Sequence, residues 1–522
     1  MNPELLAALR DPSFYGGDAA EVEIIETHAS TVFLAGARVL KLKKPVDLGF
    51  LDYSTLPRRE AMCRAEVELN RRLAPDVYVR VVAITRDADR FVLDGGGTVV
   101  EWAVEMLRMP DAASWSAMLT RGELGSEHAR VVGERIARFH AEATRGPVAA
   151  SWAVFEPVAQ ACRDNFLALA PADELVTRLR ALTEAELARR RTAIDARAAA
   201  GVACEIHGDL RLEHVYDLGG RARPEDLRIL DCVEFSAALR HGDPVADIAF
   251  LVMDLRMHGA WAQADALLSS WSSTRNDPGA AELLPFYAAY RSMVRAKVRG
   301  LQAEATGIAA ETRARVRTSA RGHLVLAYGE LAAPADRPAL VLVAGLPGTG
   351  KSRLAADIEA RAAMTWIRAD AVRKELAGLS DRASGRADIE AGLYTHAWND
   401  RTYGECLARA ERLLTSGGRV VVDASFKDEH RREAFLDLAR RLGTRARIFC
   451  CVAPAAAVRA RLAERVDDPS DADWSIYEHA ERTWDAYGAR TREWVTEIDT
   501  DLAHELAVGH ALARLRDDGL LG

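Results

Sequence analysis

Residues 339–352 read ALVLVAGLPGTGKS, and this stretch decides the fold of the second half of the chain. Its first seven residues are an uninterrupted apolar run, which is typical of a strand buried on both faces of a parallel sheet. From Gly345 to Ser352 the sequence matches G-x-x-x-x-G-K-[ST], and a helix-forming segment follows. In that setting the pattern predicts a loop whose backbone N–H groups surround phosphate oxygens.

The residues of this loop have separate predicted roles. We expect Lys351 to reach the β- and γ-phosphates of a nucleotide and Ser352 to ligate Mg²⁺, so the predicted cofactors are ATP and Mg²⁺. The other predicted nucleotide contacts are Gly345, Leu346, Pro347, Gly348, Thr349 and Gly350.

Strand and helix patterns alternate after this loop, which predicts an α/β domain with a parallel sheet and right-handed crossovers. Before it, residues 22–44 and 79–106 have strand character with a helix over about 58–73 between them, and residues 126–200 have helix character, which predicts an α+β half with two lobes. The segment AAPADRP at 332–338 cannot continue a helix because of its two prolines. We therefore predict one domain over 1–331, a linker over 332–338 and a P-loop domain over 339–522.

Further candidate site residues follow two strands and one helix of the second half. Asp423 ends the strand VVVD, and Asp370 ends IRAD with Arg373 three residues later. Either carboxylate could face a ligand at the sheet edge, or it could cap the following helix. Arg461 and Arg465 share one helix face before an acidic, turn-rich stretch, which fits either a lid over the phosphates or a solvated charged helix.

These motifs, over about residues 339–500, resemble the small P-loop kinases, which include zeta-toxin-like, polynucleotide-kinase-like and gluconate-kinase-like proteins. The resemblance implies phosphoryl transfer to a hydroxyl group. In it, Asp370, Arg461 and Arg465 would act in catalysis, and Asp423 would lie on the Mg²⁺ side together with Ser352.

A second set of candidate residues lies in the first half. His207-Gly208-Asp209 follows a short apolar strand, Asp231 ends another, and Lys41 lies on an upstream strand. Two carboxylates on a strand-loop-strand suit a Mg²⁺-dependent phosphotransferase, with one acting as base and one holding metal. They could also be turn-capping carboxylates with a solvated lysine.

With RFHAEA at 138–143 and GDPVADIA at 242–249, this half resembles the aminoglycoside phosphotransferase and choline kinase group, which has a protein-kinase-like fold. The likeness covers roughly residues 20–325. It implies that Lys41 holds the α- and β-phosphates and pairs with Glu66, that Asp209 is the base and that Asp231 ligates Mg²⁺. Glu60 and Lys43 are rival members of the pair.

One position departs from that group. His214 stands five residues after Asp209, where the group has an asparagine that ligates metal. As a metal ligand, an imidazole suits Mg²⁺ less well than oxygen does, so Glu213 or a water would have to serve. The first half could thus be a working kinase or a pseudokinase that senses a ligand.

Composition limits the remaining classes of function. The 522 residues are 49% hydrophobic and 28% charged, with a formal net charge of −8, which does not favour a protein built mainly to bind nucleic acid. Seven scattered cysteines, a start without a signal-peptide pattern and short apolar runs predict a cytoplasmic protein without a membrane span. We expect a kinase for a small-molecule acceptor; the alternatives are a regulatory nucleotide-binding protein and a polynucleotide 5′-end kinase.

Overall fold

In a computed structural model, the chain forms two compact units. The structure describes residues 2–16, 20–49, 51–88, 90–170, 172–305, 307–379, 395–464 and 474–522. The first unit comprises residues 1–160, 190–254 and 261–284, and the second comprises residues 161–189, 255–260 and 285–522.

The first unit begins with an antiparallel sheet of six strands in the order β1-β2-β3-β6-β4-β5. Its strands and the two helices of this region are α1 (Pro3–Arg10), β1 (Val22–Glu26), β2 (Ser30–Ala35), β3 (Arg38–Lys43), α2 (Leu56–Asn70), β4 (Tyr78–Asp87), β5 (Arg90–Leu93) and β6 (Thr98–Leu107).

Strand β3 shows how the sequence pattern positions a site. Successive side chains of a strand point to opposite faces, so Leu40 and Leu42 lie on one face and Lys41 and Lys43 on the other. Both leucines are completely buried in the core beneath α1. The two lysines are therefore directed to the face that carries α2.

Helices and short strands follow the sheet along the chain. They are α3 (Trp115–Arg121), α4 (Ser126–Glu142), α5 (Pro147–Ala153), α6 (Phe155–Asp164), α7 (Glu174–Ala199), β7 (Cys204–Glu205), β8 (Val215–Asp217), β9 (Leu227–Ile229), α8 (Ala237–Arg240), β10 (His241–Gly242), α9 (Pro244–Met257), α10 (Trp261–Arg275), α11 (Ala280–Glu304) and α12 (Ala310–Leu331). Strands β8 and β9 form a hairpin. This hairpin separates Asp209, which precedes β8, from Asp231, which follows β9.

A parallel sheet of five strands in the order β12-β13-β11-β14-β15 forms the centre of the second unit. Its elements are β11 (Ala339–Gly345), α13 (Lys351–Ala362), β12 (Thr365–Arg368), α14 (Ala369–Leu376), α15 (His396–Thr415), β13 (Arg419–Asp423), α16 (Glu429–Arg441), β14 (Arg445–Val452), α17 (Ala455–Ala463), α18 (Trp474–Arg482), α19 (Ala489–Arg492), β15 (Val495–Asp499) and α20 (His504–Asp517). Every residue of β11 is buried, as expected for a central parallel strand. The predicted fold classes of both halves are confirmed.

The second unit also contains helices that precede the predicted linker. Helix α12 packs against the end of α16, where Gly322 lies close to the backbone of Arg441. The second compact unit thus extends to both sides of residues 332–338. The division of the chain into two domains at this segment stays a prediction.

Gly322→Ala is expected to destabilise the second unit. A Cβ at this position would lie 2.2 Å from the Arg441 carbonyl oxygen and 2.5 Å from the Met257 Cε. Overpacking of this kind costs about 1–3 kcal/mol, so a thermal melt should show a fall of several degrees. Gly300→Ala on α11 is the matched control, since nothing lies within 4 Å of its Cβ and its melting temperature should be equal or higher. Equal melting temperatures for the two variants would contradict this packing.

The sequence predicted that no helix spans a membrane and that the cysteines are free thiols. None of the helices that the structure describes is long and apolar enough to cross a membrane. All seven cysteines lie in described segments and are buried free thiols.

Candidate active sites

The phosphate loop connects β11 to α13 in a conformation that requires its glycines. Gly345, Gly348 and Gly350 have φ of 141°, 81° and 86°, a region that other residues rarely adopt. At Gly345 and Gly348 there is also no room for a side chain: a Cβ would lie 2.6 Å from the Cys451 carbonyl oxygen and 2.8 Å from a methyl of Val458, respectively. The glycine-dependent loop therefore leads directly into the N-terminus of α13, the end of a helix that attracts phosphate groups.

The lysine of the loop is held over it. The Lys351 Nζ donates a hydrogen bond of 2.8 Å to the Leu346 carbonyl oxygen, and the Thr349 hydroxyl donates to the same oxygen at 2.8 Å. Leu346 and Pro347 thus form the outer turn of the loop, with the Lys351 cation at its mouth. The predicted residues Gly345 to Ser352 are all brought together here.

A threonine that the sequence did not predict fastens the loop to the sheet. The Thr500 Oγ1 lies 2.7 Å from the Thr349 carbonyl oxygen and 3.1 Å from the Val452 carbonyl oxygen. Thr500 directly follows β15, and three of the five residues of that strand are polar, so no apolar pattern indicated a sheet edge at Thr500.

Asp423 lies at the carboxyl end of β13, where the Ser352 hydroxyl reaches its carboxylate. Burial raises the pKa of Asp423, and the Lys351 cation and the Ser352 hydrogen bond oppose that rise. A hydroxyl and a carboxylate are hard oxygen ligands of the kind that Mg²⁺ prefers, so the two residues fit this ion.

Asp370 is half exposed on α14, close enough to Asp423 for their charges to interact. The Arg373 Nη1 lies 3.1 Å from the Asp370 Oδ1, and the Arg373 Nη2 donates to the Asn399 Oδ1 at 2.9 Å. Asn399, on α15, was not predicted, because nothing in the sequence signals that α15 faces α14. Its amide oxygen fixes the direction of the guanidinium.

Of the two candidate lid arginines, Arg461 lies beside the residue that follows β15. The Arg461 Nη2 donates to the Thr500 carbonyl oxygen at 2.8 Å and lies 3.6 Å from a carboxylate oxygen of Asp501. Arg461 is therefore attached beside the phosphate loop through Thr500. Arg465 lies outside the described residues, and the catalytic role of both arginines stays a prediction.

In the first unit, Lys41 lies between two carboxylates. Its Nζ is 2.8 Å from the Glu66 Oε1 and 2.6 Å from the Asp231 Oδ1. Partial burial disfavours the charged form of Asp231, but Lys41 and His214 hold the pKa of its carboxyl well below the usual value. The structure thus brings together Lys41, Glu66 and Asp231, while Glu60, the rival partner of Lys41, pairs with Arg64 instead.

Lys43, named above as a rival to Lys41, proves to share Glu66 with it. The Lys43 Nζ lies 2.5 Å from the Glu66 Oε2 and also contacts Glu234. The Tyr53 hydroxyl donates to the Glu234 Oε1 at 2.7 Å. Glu234 and Tyr53 were not predicted, although Glu234 follows Asp231 by three residues in the same loop.

A buried carboxylate supports the backbone that carries Asp209. Asp247 accepts hydrogen bonds of 2.9 Å from the backbone N–H groups of His207 and Gly208, and the His140 Nε2 donates to it at 3.0 Å. Burial acts to raise the pKa of Asp247, but these donors and the nearby imidazoles hold it at about 2. His140 belongs to the segment RFHAEA and Asp247 to the segment GDPVADIA, but the sequence predicted no role for either residue.

Asp247→Ala is expected to destabilise the first unit, because it leaves three buried donors without their acceptor. A buried donor left unsatisfied costs about 1–3 kcal/mol, and chemical denaturation should measure the loss as a lower free energy of unfolding. Asp76→Ala is the control, since this exposed partner of Arg228 should contribute about 0–1 kcal/mol. Similar losses for the two variants would contradict the supporting role of Asp247.

Asp209 is itself paired within its own loop. The Arg211 Nε and Nη2 contact the two carboxylate oxygens of Asp209 at 3.0 and 2.9 Å. The His214 Nδ1 donates to the Asp209 carbonyl oxygen at 2.8 Å. The Asp209 carboxylate therefore faces a guanidinium in a two-point contact.

His214 stands between the two carboxylates of this site. Its Nε2 is 3.8 Å from the Asp231 Oδ2 and 3.3 Å from the Arg211 Nη2. Carboxylate oxygens of Asp231 and Glu213 each lie 3.8 Å from the His214 Nε2, and such hard oxygen groups fit Mg²⁺, while His214 as a metal ligand stays a prediction. Within the described residues, no three or more His, Cys, Asp or Glu side chains cluster in a way that could hold a metal ion.

Comparisons with known proteins concern both halves. An aminoglycoside 2′-phosphotransferase-IIIa structure is 14% identical, covers 63% of this chain and 99% of its own, and has a TM-score of 0.40. A gluconokinase from Sinorhizobium meliloti is 20% identical, covers 35% of this chain and 94% of its own, and has a TM-score of 0.25.

The family comparison covers the second half, and curated relatives cover almost the whole chain. A family model described as an AAA domain matches residues 340–487, which include the phosphate loop. Uncharacterised proteins of Mycobacterium tuberculosis and Mycobacterium bovis are each 30% identical over 502 residues, 95% of this chain and 95% of theirs. The chain belongs to the same family as these mycobacterial proteins.

Proposed function

We propose that the protein is an ATP-dependent phosphotransferase whose P-loop half transfers phosphate to a hydroxyl group of a small molecule. The observation that carries this proposal is that the phosphate loop, the Ser352–Asp423 pair and Asp370 all lie at one edge of the parallel sheet. The phosphate loop ends β11, the Ser352–Asp423 pair joins α13 to β13, and Asp370 follows β12. The carboxyl edge of a parallel sheet is where such folds bind their ligands.

The residues of the loop fit the triphosphate of ATP. The backbone N–H groups and the N-terminus of α13 would bind the phosphates, and Lys351 would exchange the Leu346 carbonyl oxygen for a phosphate oxygen. Ser352 and Asp423 would hold Mg²⁺, which when bound neutralises charge on the phosphates.

Asp370 is the group best placed to receive the proton of the acceptor hydroxyl. Its carboxylate is half exposed and so can be reached by a ligand, and Arg373 contacts the Oδ1. A carboxylate oxygen at hydrogen-bond distance from a hydroxyl can align it and accept its proton during transfer. In this proposal Asn399 keeps Arg373 in place, so that Asp370 stays oriented.

In this proposal the first half binds a nucleotide as well, and the contacts of Lys41 with Glu66 and Asp231 support that part of it. A second candidate function for this half, binding without transfer, is favoured by the two-point contact of Arg211 with Asp209. A carboxylate whose two oxygens both contact a guanidinium has fewer lone pairs left to receive the proton of an acceptor hydroxyl. Under this alternative the first half acts as a nucleotide or ligand sensor.

The experiment is a phosphate-transfer screen with the intact chain and radiolabelled ATP. Acceptors should include sugars, sugar acids, amino sugars, nucleosides and 5′-hydroxyl oligonucleotides, and Asp370→Asn is the matched variant. We expect transfer to a small molecule that Asp370→Asn reduces by about 10²–10⁴-fold. Transfer to the oligonucleotide alone would favour the polynucleotide end kinase, and transfer that is unchanged in Asp370→Asn would contradict the role of Asp370.

A further inference from the structure

A buried row of alternating charges lies behind Lys41 in the first unit. It runs from Asp231 through Lys41, Glu66 and Lys43 to Glu234, with each neighbouring pair in contact. The side chains of Glu66 and Lys43 are 0% and 1% exposed, whereas that of Lys41 is 16% exposed. The row therefore has a sealed end at Lys43 and an accessible end at Lys41 and Asp231.

The two lysines contact different oxygens of Glu66. Lys41 approaches Oε1 at 2.8 Å and Lys43 approaches Oε2 at 2.5 Å. Lys41 would loosen its contact with Glu66 if it turned to a phosphate group. A buried carboxylate that loses its cation is strongly disfavoured, and it would take up a proton or move.

Lys43 is placed to prevent that loss. It cannot reach a ligand itself, because it is sealed and its Nζ is held by two carboxylates. Its far partner Glu234 is fixed in turn by the Tyr53 hydroxyl at 2.7 Å, and the Lys43 Nζ lies 5.2 Å from the centre of the Tyr53 ring. Lys43 is thus anchored independently of Lys41.

We propose that Lys43 is a positioning residue that keeps Glu66 ionised and in place when Lys41 turns to the phosphates of a bound nucleotide. The inference rests on the proposed nucleotide site of the first half, but the protonation of Glu66 can be measured without any nucleotide. The pKa of Glu66 agrees with this role: burial acts to raise it, and Lys41 and Lys43 together hold it below the usual value.

The balance of charge around Glu66 sets the expected result. Two lysines face three carboxylates in the row, so removal of both lysines leaves the carboxylates with no cation from β3. The titratable and charged groups around Glu66 are Lys41 and Lys43 on β3, Tyr53, Tyr78 on β4, Asp231 and Glu234 after β9, and Cys63 on α2 itself.

The test uses Lys41→Met in the full chain, which imitates the departure of Lys41. In this variant Lys43 should keep Glu66 ionised at pH 7. In Lys41→Met/Lys43→Met, Glu66 should be protonated, and an infrared difference spectrum against Lys41→Met/Lys43→Met/Glu66→Gln should show the carbonyl stretch of a carboxylic acid. Lys41→Met against Lys41→Met/Glu66→Gln should show no such band.

The pH dependence of melting is a second measurement with a definite sign. A carboxyl whose pKa is raised in the folded state adds stability below its unfolded pKa and loses it as pH rises through the folded value. From about pH 5 to about pH 8, the melting temperature of Lys41→Met/Lys43→Met should therefore fall more than that of Lys41→Met. Adding Glu66→Gln should remove the difference. Equal pH profiles, or an ionised Glu66 in the double variant, would overturn the proposal.

If the double variant does not fold, Lys43→Met in a Lys351→Ala chain replaces it. Calorimetry with Mg²⁺ and ATP in two buffers of different ionisation enthalpy should then show an extra uptake of about one proton per nucleotide, relative to Lys43→Arg. Equal uptake would overturn the role of Lys43. No nucleotide binding by the parent chain, together with a protonated Glu66 in the double variant, would instead refute the nucleotide site and leave the Lys43–Glu66 dependence standing.

Discussion

Lys351→Ala is expected to abolish phosphate transfer by the P-loop half, with a fall in rate of at least about 10²-fold. Lys351 is the cation at the mouth of the phosphate loop, where its Nζ lies 2.8 Å from the Leu346 carbonyl oxygen. A neutral methyl group cannot replace that charge as negative charge develops on the transferred group. The measurement is transfer from radiolabelled ATP to the acceptor found in the screen, and thermal melting should be little changed.

Arg353→Ala is the matched control for this prediction. Arg353 is an exposed cation on the same helix, two residues after Lys351, and it has no place in the proposed site. Its replacement should leave the rate within about twofold of the parent. A Lys351→Ala chain that retains the parent rate would refute the P-loop half as the transferring site.

The second large effect concerns the two carboxylates of the first half. In a Lys351→Ala chain, Asp231→Asn should weaken Mg²⁺-dependent nucleotide binding by at least about tenfold, because it removes the negative charge of the carboxylate beside Lys41. Asp209→Asn should leave that binding nearly intact but reduce any remaining transfer by about 10²–10⁴-fold. Calorimetry and the transfer assay measure the two effects separately.

The calorimetry and the transfer assay also decide whether the first half is a working kinase or a sensor. If the Lys351→Ala chain binds nucleotide but transfers phosphate to no acceptor, the sensor function is supported, and Arg211 explains it by occupying Asp209. If Asp231→Asn binds nucleotide as tightly as the parent, Asp231 is not the group that holds Mg²⁺.

Much of the second half could be predicted because its chemistry is local in sequence. The glycines that adopt positive φ, the lysine and the serine are adjacent in the chain, so their spacing alone indicates the phosphate loop. Asp423 and Asp370 could be located because strand ends of a parallel sheet share one edge. Thr500 and Asn399 could not, since they reach the site only through the packing of β15 and α15.

The first half was harder to predict because its site depends on contacts between distant residues. Lys41 and Asp231 are 190 positions apart, and no local pattern fixes which of two lysines meets Glu66. In the structure both Lys41 and Lys43 contact Glu66, because alternate residues of β3 share one face. The pairing of Asp209 with Arg211 was also missed, although the two residues are close in sequence, because side-chain direction in a loop has no periodic signal.

The most direct test of the central claim, that the chain has two separate nucleotide sites, is calorimetric titration of the intact protein with Mg²⁺ and a non-hydrolysable ATP analogue. With two sites, the parent chain should bind about two nucleotides, Lys351→Ala about one, and Lys41→Met about one. A stoichiometry that neither substitution changes, or an absence of binding by the parent chain, would contradict this claim.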